Sequence, residues 1–266
     1  MKSLVLPVLV IAGGYLLICA FYYLQQDRML FIGASAASLP EHPRIRPVEH
    51  VVQGVTLRGF QLEGDDPRNG VVIVYFGGNA EDVAHAAWQM LELGENAYLF
   101  NYRGYGRSEG APAELALRGD ALANFDWIRA RHPTSPVVAF GRSLGSAMAL
   151  QLAAEREIAG LILASPYTSI RDVAAYHFPW LPVGPLLKNP FDCVANARNV
   201  TVATLVISAE HDEVIPRRFT DALRGQLGAE SELYVIEGTD HNTLMAQPRP
   251  WGLIASYLAS VRRDSS

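Results

Sequence analysis

The chain has 266 residues, 50% of them apolar and 18% charged, which is enough to bury one sizeable core and too short to require two. Its formal charge is −5 and no stripe of Lys or Arg forms along it, which excludes a nucleic-acid-binding face. Two cysteines, Cys19 and Cys193, cannot build a disulfide framework, and no C-x-x-C or H-E-x-x-H spacing offers a metal site.

From Leu4 to Leu24 no residue is charged. At 1.5 Å per residue this run spans about 30 Å, one bilayer core. Tyr22 and Tyr23 stand at its distal end, where an aromatic belt belongs, and Asp27 and Arg28 follow. Residues 1–27 therefore read as a transmembrane anchor, and the bilayer is the first expected partner. A cleaved signal peptide is an alternative, although its apolar region is usually shorter and the only A-x-A site near the N-terminus, Ala34-Ser35-Ala36, lies past two charges. A buried core helix is another, opposed by the lack of a polar face. Lys2 and the terminal amine against Arg28 bias the N-terminus inward, placing the domain on the non-cytoplasmic side, the periplasm in a bacterium.

Residues 28–47 read as a stem, polar and punctuated by Pro40, Pro43 and Pro47. A globular domain is expected over 48–266. Val48–Gln53 and Val55–Leu62 alternate as a hairpin, closed by Gly64-Asp65-Asp66-Pro67. Strand-like runs at Val71–Phe76, Ala97–Asn101, Pro136–Phe140, Gly160–Ala164, Val202–Ser208 and Glu232–Ile236 then alternate with helix-like segments, which argues a parallel sheet covered on both faces. Catalytic groups in such sheets belong at the carboxyl ends of the strands.

Gly141-Arg142-Ser143-Leu144-Gly145 falls between the Pro136–Phe140 strand and a helix-prone run from Ser146 to Leu152. That strand-turn-helix context makes Ser143 a nucleophile, its hydroxyl exposed on a strained turn whose flanking glycines avoid collision. A serine needs a base, and seven histidines compete. His42 and His50 lie in the stem and first strand, His85 and His132 in or at the ends of helices, His177 in an irregular stretch, and His211 against acidic neighbours. His241, in the loop after the last strand, is the expected base. Asp212, in the loop after the preceding strand, is the expected acid, with Glu210, Glu213 and Asp240 as rivals. The oxyanion donors are expected from the backbone N–H groups of Leu144 and of Asn79, the latter in the Phe76-Gly77-Gly78-Asn79-Ala80 loop.

Between two late strands, residues 165–200 interleave five prolines with Tyr167, Tyr176, Phe178, Trp180 and Phe191. The segment reads as a lid of about 165–200, with Phe178, Trp180 and Leu181 as the substrate pocket, or as short helices filling the domain's side.

Together Tyr75-Phe76-Gly77-Gly78-Asn79-Ala80, Asn101-Tyr102-Arg103-Gly104-Tyr105-Gly106-Arg107-Ser108-Glu109-Gly110, the Ser143 pentapeptide, Asp212-Glu213-Val214-Ile215-Pro216 and Asp240-His241-Asn242 resemble the α/β-hydrolase superfamily over Val48 to Val261. Within it the chain looks most like small serine hydrolases with one N-terminal membrane anchor. The resemblance implies a mostly parallel eight-stranded sheet with helices on both faces, a Ser, Asp, His order along the chain, and no cofactor. It also implies hydrolysis of small acyl esters or thioesters, among them lysophospholipids, acylglycerols and palmitoylated cysteines. Two positions depart from the family pattern: Gly77 stands where His is usual, and Asn101 where Asp is usual. A peptidase or amidase and a catalytically silent, membrane-tethered binding protein are the alternatives.

Overall fold

A computed structural model describes residues 2–37, 41–68 and 70–264; Pro40, the first proline of the expected stem, lies outside them. The first element, α1 (Lys2–Leu30), is one continuous helix. Its stretch Val5–Leu30 is long and apolar enough to cross a membrane and is largely unburied by the rest of the chain. Strands β1 (Ile45–Val52) and β2 (Val55–Leu62) form the expected hairpin, β1 starting inside the segment expected as stem. Nor does the chain run free after α1. Phe31 is buried against Phe191, the Ala34 carbonyl accepts the Gly106 N–H at 2.9 Å, and the Ala37 N–H donates to Asp82 at 2.9 Å. An aromatic residue directly after the helix carries the chain into the core.

The remaining strands are β3 (Val72–Phe76), β4 (Asn96–Phe100), β5 (Val137–Arg142), β6 (Gly160–Ala164), β7 (Thr204–Ala209) and β8 (Ser231–Ile236). They complete an eight-stranded sheet in the order β1-β2-β4-β3-β5-β6-β7-β8. β2 is antiparallel to both neighbours, and every pair from β4 to β8 is parallel. Alternation along each strand divides the core between two faces. Val72, Val74, Phe76, Val137 and Ala139 meet α3 (Glu114–Arg129), α4 (Gly145–Glu155) and α8 (Arg217–Arg224) on one side. Ile73, Tyr75, Val138 and Phe140 meet α2 (Ala87–Glu92) and α9 (Pro248–Asp264) on the other. Because both faces are covered, the central strands read as unbroken apolar runs.

Between β6 and β7 come α5 (Ile170–His177), α6 (Val183–Leu186) and α7 (Val194–Ala197). This segment is therefore built of short helices. His177, expected in an irregular stretch, is the last residue of α5, where the Ser169 hydroxyl caps the opening turn by accepting the Asp172 N–H.

Candidate active site

The elbow is set by close backbone approach. A Cβ on Gly145 would meet the Phe76 carbonyl oxygen at 2.0 Å, and one on Gly141 would meet the Gly145 carbonyl oxygen at 2.6 Å. Ser143 itself adopts φ +50°, a left-handed conformation that costs a non-glycine residue on the order of 1–3 kcal/mol. Its N–H donates to the Ala164 carbonyl at 2.8 Å, tying the turn to the end of β6.

Ser143 Oγ lies 3.0 Å from His241 Nε2. On the other side of the ring, His241 Nδ1 lies 2.8 and 3.0 Å from the two Asp212 oxygens. The Asp212 side chain is fully buried and also accepts the Ile215 and Val214 N–H groups at 2.7 and 3.1 Å, so its loop presents the carboxylate to the imidazole. This bonding favours the tautomer with the proton on Nδ1 and leaves Nε2 free to accept from the serine. The rival carboxylates are placed elsewhere. Glu210 accepts the Gly238 N–H, and Asp240 is tied to Asn242 and Thr243.

The Gly77–Ala80 loop passes beside the serine, with the Cβ position of Gly78 3.7 Å from Ser143 Cβ. Among the described residues, the N–H groups of Asn79 and Leu144 donate to no other group of the protein. Unpaired donors beside a serine hydroxyl of this kind suit a developing oxyanion. The Asn79 side chain is itself fixed: Nδ2 donates to the Leu30 carbonyl at 2.5 Å, and Oδ1 accepts Tyr105 Oη–H at 2.6 Å. Burial raises the Tyr105 phenol to about 12, which keeps it a donor.

One supporting group was not foreseen. Glu81 is buried and accepts the Gly78 N–H at 2.8 Å, Tyr75 Oη–H at 2.7 Å and Arg142 Nη1–H at 3.0 Å. Burial, with the Glu81 charge second, pushes the Tyr75 phenol well above its ordinary range. For Arg142, burial is the largest influence and disfavours the charge, but Glu81 and Tyr75 together outweigh it and the guanidinium pKa rises. The departure at Gly77 has its reason here, since a Cβ there would meet the Glu81 carboxyl carbon at 3.3 Å. The loop is made rigid instead by Glu81 and by Tyr102 Oη–H, which donates to the Gly77 carbonyl at 2.8 Å. The departure at Asn101 is equally local. Its Nδ2 donates to Asp82 at 3.1 Å and its Oδ1 accepts the Val83 N–H at 3.0 Å, whereas an aspartate would face Asp82 with like charge.

The three expected pocket residues sit on the connection between α5 and α6. Phe178 and Trp180 direct their ring contacts to Tyr22 of α1, at 5.9 and 5.7 Å, and not to the triad; Leu181 is half-buried beside them.

A serine on a tight strand-to-helix turn at the carboxyl end of β5, a histidine after β8 and a carboxylate after β7 form the arrangement the resemblance implied, and the comparisons bear on the class of protein. The sequence profile Hydrolase_4, described as serine aminopeptidase, S33, matches residues 65–190. Over 245 residues the chain is 31% identical to the uncharacterized protein Rv2307c of Mycobacterium tuberculosis, covering 88% of this chain and 86% of that protein. It is 35% identical over 171 residues to the mouse lysophosphatidylserine lipase ABHD12, covering 56% of this chain and 43% of the lipase. For the macaque lipase of the same name the identity is 35% over 224 residues, with 73% of this chain and 53% of the lipase covered, so the chain spans about half the length of these lipases. Among solved structures, the Pyrococcus furiosus esterase Pf2001 superposes with a TM-score of 0.68 at 17% identity, over 86% of this chain and 98% of that one. An alpha-beta hydrolase from Vibrio vulnificus gives 0.66 at 19% identity, over 82% and 81%. The chain belongs to the α/β-hydrolase superfamily.

Proposed function

We propose that the chain is a membrane-anchored serine hydrolase cleaving carboxylic esters or thioesters of acyl-lipids or other acylated substrates. The observation that carries this reading is the hydrogen-bonded series Ser143, His241, Asp212 beside two unpaired N–H groups. Residues 1–27 are the anchor, 28–47 a connector that opens with the last turn of α1 and closes with the first residues of β1, and 48–266 the catalytic domain with its lid over about 165–200. Phe178, Trp180 and Leu181 give the acyl chain an apolar contact.

His241 Nε2 takes the Ser143 proton as Oγ attacks the carbonyl carbon. The oxyanion rests on the N–H groups of Leu144 and Asn79, and the buried Asp212 stabilises the imidazolium. His241 then protonates the departing alcohol or thiol. In the second half it activates water, which releases the acid and restores the serine. The relatives named lysophosphatidylserine lipase support a single-chain acyl amphiphile as the substrate class.

The test is labelling of the folded, detergent-solubilised chain by a fluorophosphonate probe, with Ser143→Ala as background, followed by matched esters, thioesters and amides of graded acyl length. Labelling lost in Ser143→Ala, with esters or thioesters turned over, is the expected result. Folded protein that does not label supports the silent, tethered binder instead. Turnover confined to amides would favour the peptidase reading, which the family description serine aminopeptidase supports.

A further inference from the structure

Residues 173–187, Val-Ala-Ala-Tyr-His-Phe-Pro-Trp-Leu-Pro-Val-Gly-Pro-Leu-Leu, contain no Asp, Glu, Lys or Arg. Tyr176 is 45% and Trp180 49% exposed, and Pro179, Pro182 and Pro185 are exposed with them. At one border the Arg218 guanidinium stacks 3.9 Å from the Tyr176 ring and His177 is exposed, so the apolar surface runs from Phe178 to Leu187, and a patch of this kind needs an occupant.

The patch is held against α1 by contacts that run in step along it. Tyr15 Oη–H donates to the Trp180 carbonyl at 2.9 Å, Gln26 Nε2–H to the Leu186 carbonyl at 2.9 Å, and the Lys188 N–H to Gln26 Oε1 at 2.7 Å. Asn189 Nδ2–H donates to Asp27 at 2.9 Å. Tyr15 and Asp27 are twelve residues apart, about 18 Å along a helix and still roughly 17 Å with a 20° tilt. Asp27 is the first charge after the apolar run and marks the membrane surface. Trp180, at the level of Tyr15, then lies below the headgroups and within the acyl chains.

Several backbone groups of this segment are met within the protein, which matters in a medium where an unmet polar group is costly; the Trp180 N–H is the exception among the described residues. The N–H groups of Phe178, Leu181, Val183 and Leu187 bond within the segment. Positions 179, 182 and 185 are prolines and have no N–H to satisfy. The Trp180 and Leu186 carbonyls are met by side chains of α1, which gives Tyr15, inside the uncharged run, and Gln26, just past its end, a purpose.

The same two elements flank the reacting groups. His177 Nε2 is 3.0 Å from the carbonyl of Val214, in the loop that holds Asp212, and the Leu30 carbonyl holds Asn79.

We infer that residues 178–187 are a second membrane element, re-entrant and seated in the hydrocarbon against α1. Resting on the hydrolase reading above, we further assign this face as the route by which a bilayer-resident acyl amphiphile enters from its own leaflet.

The experiment uses the full chain in lipid nanodiscs containing phospholipid brominated either near the headgroup or near the middle of the acyl chain. Bromolipid should quench up to the share of one of the four tryptophans, and Trp180→Phe should remove that component. Equal fractional quenching of the wild type and Trp180→Phe would overturn the membrane element. Entry is tested with Tyr15→Phe/Gln26→Leu, which removes both carbonyl partners away from the reacting groups. Hydrolysis of a long-chain ester embedded in the disc should fall several-fold, with a soluble short-chain ester unchanged. An equal change for both esters would overturn the entry route. Absence of any hydrolysis would overturn the function reading on which entry rests, while the quenching result would still decide the membrane element.

Discussion

Replacing Glu81 by Ala removes one carboxylate and three bonds at once, and the structure sets the size of the effect. The Tyr75 hydroxyl, inside the core, loses its acceptor, the Gly78 N–H loses a charged partner, and Arg142 keeps its charge without a counter-ion. An unmatched buried polar group costs about 1–3 kcal/mol, and breaking a buried ion pair about 3–5. The second figure is reduced here because the Arg142 side chain is 24% exposed. The losses share one group and do not add, so about 3–5 kcal/mol in total is expected, a fall in Tm of roughly 6–20 °C. Catalysis should suffer separately, because Gly78 precedes Asn79 and its bond to Glu81 fixes the loop. Deleting an oxyanion donor costs about 10²–10³ in kcat, so displacing one should cost about 10–10². Glu81→Gln keeps an acceptor for Gly78 and a partner for Tyr75, and should remain within about fivefold of wild type. The assay is kcat and KM on a soluble short-chain ester, with chemical denaturation of both variants. Folded Glu81→Ala with wild-type kcat, or a defect in KM alone, would refute the positioning argument.

Gly145→Ala, whose Cβ would meet the Phe76 carbonyl oxygen at 2.0 Å, should yield misfolded protein or lose more than about 2 kcal/mol, measured by urea denaturation. His132 accepts Tyr98 Oη–H at 2.9 Å, and burial, followed by Arg129 and Arg131, holds its pKa below the ordinary 6.5. The unfolded chain therefore binds the extra proton first, and stability should fall as pH drops through about 6.5. His132→Gln should flatten that acid limb, and an unchanged slope would count against the assignment.

What could be read in advance was what local chemistry dictates. The buried strands announced themselves by unbroken apolar runs, and each starts or ends within two residues of its expected place. The Ser143 elbow was legible because its strand, turn and helix are contiguous in the chain. His241 and Asp212 followed because a parallel sheet delivers successive strand ends to one edge. Glu81 was missed because its partners, Tyr75 and Arg142, come from different strands and only the folded sheet brings them together. Arg142 stood inside the pentapeptide and could have prompted a search for a buried counter-ion. The union of α1 with the α5–α6 connection was equally invisible, since its hydrogen bonds join residues more than 150 positions apart.

The passage from α1 into the core within one residue, at Phe31, leaves the hydrolase domain no tether on which to wander. With α1 in the bilayer, as proposed, a hydrolase mounted this rigidly searches a plane instead of a volume. The concentration that governs its rate is then the mole fraction of substrate in its own leaflet, and the same substrate on a neighbouring vesicle is out of range at any bulk concentration.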